Sequence, residues 1–187
     1  EYLGVRDRFE AQGHLRTRAT ASAWGGETLS DEFLSTGRGD GWCLDRPRFD
    51  QMLIEAAAGQ GAQVCREAWV TQLDRRAPGS WRLGVRGGGV DRRWVEARFL
   101  IDASGRGGAI ARRLHAEIRP IDRLVGVTGV VRFDGDWKRE LRIYVESAAV
   151  GWWYSVPLSN DRLAVTLMTD ADLLWRHSSH RPNGWTE

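Results

Sequence analysis

The spacing of apolar residues changes period twice along the chain. Over 41–64, "GWCLDRPRFDQMLIEAAAGQGAQV", Phe49, Met52, Leu53, Ala56 and Ala57 recur at helical spacing and predict one apolar helix face. Asp45 stands where it can cap that helix, and Pro47 falls in the first turn, where a missing N–H is harmless. Gly59 and Gly61 end it. Three strand-like runs follow, about 63–73, 81–86 and 94–103, separated by "RRAPGS" and "RGGGVD". A short helix is expected over 109–115, with Ile110 and Leu114 on one face. From Leu124 the pattern is mainly β: "LVGVTGVVRF", "LRIYVES", "GWWYSVPL" and "RLAVTLMTD" are divided by polar turns. Residues 1–40 read as one or two strands and a long loop, and 173–187 starts as a helix before losing pattern. This order predicts the α/β (α+β) class: a nucleotide-binding type of domain interleaved with a mostly antiparallel sheet.

Composition narrows the picture without redirecting it. The 187 residues suffice for one domain or two small interlocked ones with a real core. No apolar run approaches the roughly 18 residues of a membrane span and no signal-peptide pattern opens the chain, so a cytoplasmic protein off the membrane is expected. Cys43 and Cys65 give neither metal spacing nor a disulfide framework, in keeping with that compartment. His14, His115, His177 and His180 form no metal constellation and are expected at the surface. A net charge of +2 is too small to imply nucleic acid as a partner. Lys138 is the only lysine, hence the one candidate in this chain for lysine chemistry. The first residue is Glu1 rather than Met, which suggests a piece of a longer or trimmed product.

The candidate chemistry centres on "RFLIDASGRGGAIARRL", 98–114. Phe99, Leu100 and Ile101 read as a buried-type strand with Asp102 at its carboxyl end, the edge where open α/β sheets take ligands. Gly105, Gly107 and Gly108 let backbone approach a ligand, Arg106 can add a charge-assisted contact, and the helix that follows can offer N–H groups to an anion. Only Gly105 and Gly107 fit G-x-G-x-x-G, because position 110 is Ile. Two readings stay open here: a phosphate-holding loop, or a strand-to-helix turn that binds nothing, with Asp102 as its capping residue. In "GWWYSVPL", Trp152 and Tyr154 share one strand face and Trp153 takes the other, as sheet core or as an aromatic wall. Asp170 and Asp172 are expected to cap a helix that begins there.

Taken together, "GWCLDRPRFDQMLIEAAAGQGAQV" and, about 35 residues later, "FLIDASGRGGAIARRL" resemble the FAD-dependent monooxygenase and flavin-dependent halogenase superfamily. That family shares the p-hydroxybenzoate hydroxylase-type fold and includes geranylgeranyl reductases and tryptophan halogenases. The resemblance covers roughly residues 20–175. It implies a partial, Rossmann-like FAD-binding domain over 41–118, with 1–40 and 119–187 as β-sheet segments of a substrate domain. It places Arg46 against the flavin cofactor and Asp102 near the ribityl chain and pyrophosphate, with Gly105 and Arg106 beside it. It makes Trp24, Trp152 and Tyr154 substrate-pocket residues. No catalytic base stands out.

Two departures matter. No G-x-G-x-x-G stands upstream of residue 41, and the only downstream Gly-Asp pair, in "FDGDW" at 133–137, lies in the sheet region without the helix that should follow. The expectation is therefore an internal segment of a longer enzyme. The tryptophan-halogenase signature W-x-W-x-I-P reads here Trp152, Trp153, Tyr154, Ser155, Val156, Pro157, so Tyr replaces the second Trp and Val the Ile. The implied activity is FAD-dependent oxidation of an organic or aminoacyl substrate, with a flavin reductase or NAD(P)H as electron source. The competing readings are a non-catalytic, β-rich ligand-binding module built on the ten tryptophans, and an inactive truncated relic.

Overall fold

The β-type pattern after residue 124 folds as the alternation requires. A computed structural model describes residues 2–26, 28–32, 40–132, 142–159 and 161–178. Strands β8 (Leu124–Arg132), β9 (Arg142–Ala148), β10 (Gly151–Leu158) and β11 (Arg162–Asp170) match the runs read from sequence to within one residue at each end. They follow β1 (Leu15–Thr17), β2 (Ala19–Ala23), β3 (Thr28–Glu32), β4 (Gly41–Cys43), β5 (Ala68–Ala77), β6 (Ser80–Gly87) and β7 (Val90–Ala97). Four α-helices, α1 (Arg6–Ala11), α2 (Arg46–Gly59), α3 (Ala109–Arg113) and α4 (Ala171–Ser178), and a single 3-10 turn at Gly105–Gly107 complete the described elements. The result is a mixed α/β chain dominated by antiparallel sheet, as the class expectation held.

The chain divides into two compact units, residues 1–57 with 122–187, and residues 58–121. In the first, six strands pair in the order β3-β2-β9-β10-β11-β8, and β1 pairs with β4 in a separate ribbon. Among the described residues the one parallel pairing is β2 with β9, where Ala21 sits opposite Tyr144. Such a pairing needs a long crossover, which the sequence separation of these two strands supplies. The register sets Trp152 opposite Met168 and Tyr154 opposite Thr166, with Thr128 next across. Side chains alternate between faces, so Trp152, Tyr154, Val156 and Leu158 share one face and Trp153 takes the other.

At the Val156–Leu158 end that face is core. Cys43, Val156 and Leu158 are buried, with Leu15, Ile143 and Ala164 packed against them, so the ribbon seals this end of the sheet. Each buried aliphatic side chain of this kind contributes about 1.5–3 kcal/mol.

In the second unit β5, β6 and β7 form an antiparallel meander in sequence order. Pro78-Gly79 and Gly88-Gly89 make its two tight turns, so the long-looking "RGGGVD" separator closes as a two-residue hairpin, with Gly87 opposite Val90. The third strand ends at Ala97, earlier than its pattern predicted. Residues 99–102 carry no strand assignment, and Phe99 and Ile101 are 84% and 87% exposed. The expected buried strand over 99–101 is therefore corrected: no described strand pairs with it, and an unpaired segment has nothing to bury its apolar side chains against.

Candidate functional site

The glycine turn is built from its own side chains. The Asp102 carboxylate accepts hydrogen bonds from the Ser104 amide (3.0 Å) and hydroxyl (2.6 Å) on Oδ1. On Oδ2 it accepts from the amides of Ile110 (3.0 Å) and Ala111 (2.9 Å). The Ala109 amide donates to Ser104 Oγ at 2.8 Å. These bonds hold the Asp102 carboxyl well below its ordinary range, at about 2, with the Ser104 hydroxyl the largest cause. The first amides of α3 are thus already taken, which corrects the expectation that this helix offers free N–H groups to an anion. Asp102 does the work of a cap from outside the helix.

What the turn leaves open is main chain. Gly105 adopts φ +72°, which disfavours other residues, and a Cβ there or at Gly107 would meet nothing within 4 Å. Space beside the main chain is open at both positions. Gly108 is different: at φ +52°, a Cβ would lie 2.8 Å from Ile118 Cδ1, so its role is the packing of α3. Arg106 is exposed beside Gly105.

In the other unit, Arg46 is the first residue of α2 and is exposed. Its guanidinium forks onto Asp50, with Nε to Oδ1 and Nη2 to Oδ2, each at 3.3 Å. An exposed i,i+4 pair of this type is worth about 0.5 kcal/mol, so a stronger anion can displace Asp50. Trp152 emerges from the sheet with its ring 6.1 Å from that of Trp24, which is 62% exposed. Tyr154 is partly exposed on the same face, and burial, helped by the nearby Cys43 thiol, raises its phenol above the ordinary value. Thr128 and Thr166 hydroxyls meet at 2.8 Å in the same row. The three aromatic candidates therefore belong to one open end of a sheet face whose other end is core.

Sequence reasoning missed a polar network beneath Arg46. Asp45 stands just before α2, and its carbonyl accepts the first helical bond from the Phe49 amide at 2.9 Å, but its side chain does not cap the helix as expected. Its carboxylate instead accepts from Arg162 Nη2 at 2.8 Å. His14, expected at the surface, is only 6% exposed. Its Nδ1 accepts from the Asp45 amide (3.3 Å) and its Nε2 lies 2.7 Å from Gln12 Oε1. Phe9 and Phe49 flank its ring, with centroids at 5.3 and 6.4 Å. Burial first, then the Arg48 charge, lower the His14 pKa, against a smaller opposing pull from Asp45. Its position between the "RDRF" and "DRPRFD" segments was a signal only in retrospect, because its partners lie elsewhere in the chain. His115 is exposed as expected. His180 and the "FDGDW" motif lie outside the described residues, as does the side chain of His177. Among the described residues no group of three or more His, Cys, Asp or Glu could hold a metal ion, and no helix is long and apolar enough to cross a membrane.

The fold is a mixed α/β architecture, and comparison with known proteins specifies it further. No family model matches the chain. A protein described as an FAD-dependent oxidoreductase, LodB of Marinomonas mediterranea, is 29% identical over 171 residues, covering 89% of this chain and 45% of the relative. The tryptophan 2-halogenase of Chondromyces crocatus is 25% identical over 185 residues, covering 92% of this chain and 34% of the relative. The crystal structure of CmlS, a flavin-dependent halogenase, superposes with a TM-score of 0.78 at 26% identity, covering 94% of this chain and 33% of that one. The homologues of this chain are thus FAD-dependent oxidoreductases and flavin-dependent halogenases, and it shares their fold. It spans less than half the length of these relatives.

Proposed function

We propose that this chain is part of an FAD-dependent oxidoreductase of monooxygenase or halogenase-like type, acting on an organic or aminoacyl substrate. The observation that carries the reading is the pairing of its homology with an open-backbone glycine turn at Gly105 and Gly107. On this reading residues 41–118 supply part of the FAD-binding domain, and 1–40 and 119–187 contribute substrate-domain sheet. Arg46 is an anion contact to the flavin cofactor. Asp102 shapes the turn that presents Gly105 and Arg106 to the ribityl–pyrophosphate part of FAD.

When bound, FAD supplies the redox chemistry, and the protein supplies binding, orientation and shielding. Asp102 stays ionised across the physiological range and keeps the turn closed on itself. Arg46 exchanges an exposed carboxylate partner for a ligand anion. Trp24, Trp152 and Tyr154 offer an apolar aromatic surface with one hydroxyl, its two indole rings inclined at 53°, suited to an aromatic substrate. Electrons come from a flavin reductase or from NAD(P)H.

The test is the flavin content of the protein purified as the cell makes it, followed by FAD titration of the wild type and of R46Q and G105V. Bound flavin, with titrations weakened about tenfold in R46Q and abolished in G105V, supports the reading, since a charge-assisted contact is worth about 1.5–3 kcal/mol. A colourless protein that takes up no FAD but binds glycans would instead establish the tryptophan-rich binding module.

A further inference from the structure

The network under Arg46 joins three segments distant in sequence. Gln12 and Arg48 bond each other reciprocally: Gln12 Nε2 donates to the Arg48 carbonyl (3.0 Å), and Arg48 Nη2 donates to the Gln12 carbonyl (2.9 Å). Arg48 Nη1 also reaches Ser159 Oγ in the β10–β11 turn at 3.5 Å. From that hairpin, Arg162 returns the connection: Nη2 to Asp45 at 2.8 Å, and Nε to the Ser159 carbonyl at 3.3 Å. Leu158 and Arg162 are the register pair that closes the hairpin. Helix start and hairpin end thus each send an arginine to the other. The Asp45 side chain is 9% exposed, so its charge needs this partner.

The helix start carries Arg46, and the hairpin carries Trp152 and Tyr154. We propose that Arg162 is a positioning residue: through Asp45 it fixes the first turn of α2, and the Arg46 guanidinium on it, against the aromatic β10–β11 hairpin. The proposal rests on the reading of Arg46 as a cofactor contact for its functional meaning, but not for its geometry. His14 belongs to the same clasp, because its Nδ1 accepts the amide of Asp45. The charged groups acting on it are Arg48 on α2 and Asp45 just before α2, and Asp45 in turn is held by Arg162 of β11.

The experiment is residue-resolved amide exchange on the wild type, R162Q and R162K, with FAD titration in parallel. Loss of one hydrogen bond to a charged group predicts about tenfold faster exchange at the Phe49 amide in R162Q. The ladder amides of β10 and β11 should keep their protection. R162K should restore Phe49 to within about threefold, because Asp45 needs only one cationic donor, and lose only the bond to Ser159. FAD affinity should fall in R162Q, recover in R162K, and show no further loss when R162Q is added to R46Q. Unchanged exchange at Phe49 in R162Q overturns the proposal, and so does equal loosening of helix start and hairpin, or failure of R162K to rescue. If no variant nor the wild type takes up FAD, the cofactor reading alone falls, and the exchange pattern still decides whether Arg162 positions the helix start.

Discussion

The glycine turn and the clasp beneath Arg46 answer the same problem, how to hold an irregular backbone at a helix start, in opposite ways. In the turn every partner is close in sequence: Asp102 bonds residues two, eight and nine positions on. In the clasp the decisive bond joins residues 117 positions apart, Arg162 and Asp45. The turn is a local device that forms whenever its own dozen residues do. The clasp exists only after the hairpin has docked on the ribbon, so it reports on the whole first unit. A turn capped by its own side chains is local and self-sufficient, whereas a joint between a helix start and a hairpin far away in sequence must be long-range.

Perturbing the core should separate the two most sharply. Leu158→Ala removes a side chain from the Cys43–Val156–Leu158 cluster and should cost about 3 kcal/mol in urea unfolding of the first unit, with the clasp amides losing protection while those of Ile110 and Ala111 keep theirs. Simultaneous loss in both places would show that the turn is not local. Next in size, Gly108→Ala should cost about 1–2 kcal/mol, since its Cβ would press on Ile118 at a positive φ, whereas Gly107→Ala should be near neutral in the same assay. Equal costs would mean that the packing of α3 does not depend on Gly108.

Proton titration gives smaller effects with distinct windows. His14 is held neutral in the fold, so the unfolded chain binds more protons as pH drops below about 6.5; the stability it protects is present above that value and is lost as pH falls toward its lowered folded pKa. A melting temperature that declines between pH 7 and pH 5, and declines less in H14Q, is the expected result; identical slopes would remove His14 from the clasp. Asp102 acts lower. Its contribution is complete above its ordinary value of 3.8 and disappears as pH approaches about 2, so exchange at Ile110 and Ala111 should accelerate only between pH 4 and pH 2. In D102N that acceleration should be absent, because the amides are already less protected at neutral pH.

Much of the fold was legible because periodicity records which face meets the core. The α2 span, the four strands after residue 124 and the opposite faces of Trp152 and Trp153 all follow from spacing of two or of 3.6. The Asp102–Ser104 turn was legible as a turn, and the capping alternative for Asp102 could be named from the same residues. Asp45 was readable as the residue that precedes α2, because a helix start is a local event. Its carboxylate partner was not, nor was the burial of His14, since neither leaves a mark on neighbouring residues.

Phe99 and Ile101 mark the boundary from the other side. Their pattern is that of a buried strand, but burial requires a neighbour, and among the described residues no strand pairs with them. Taken alone, the amino-acid sequence determined the periods, the turns and the self-capped glycine loop, because these depend on interactions within about ten residues. Only the tertiary structure decided that Asp45 turns to Arg162, that His14 is held neutral beneath α2, and that Trp24 reaches Trp152. Those contacts depend on which segments pair across the sheet, and that choice is made by the burial of the whole face at once.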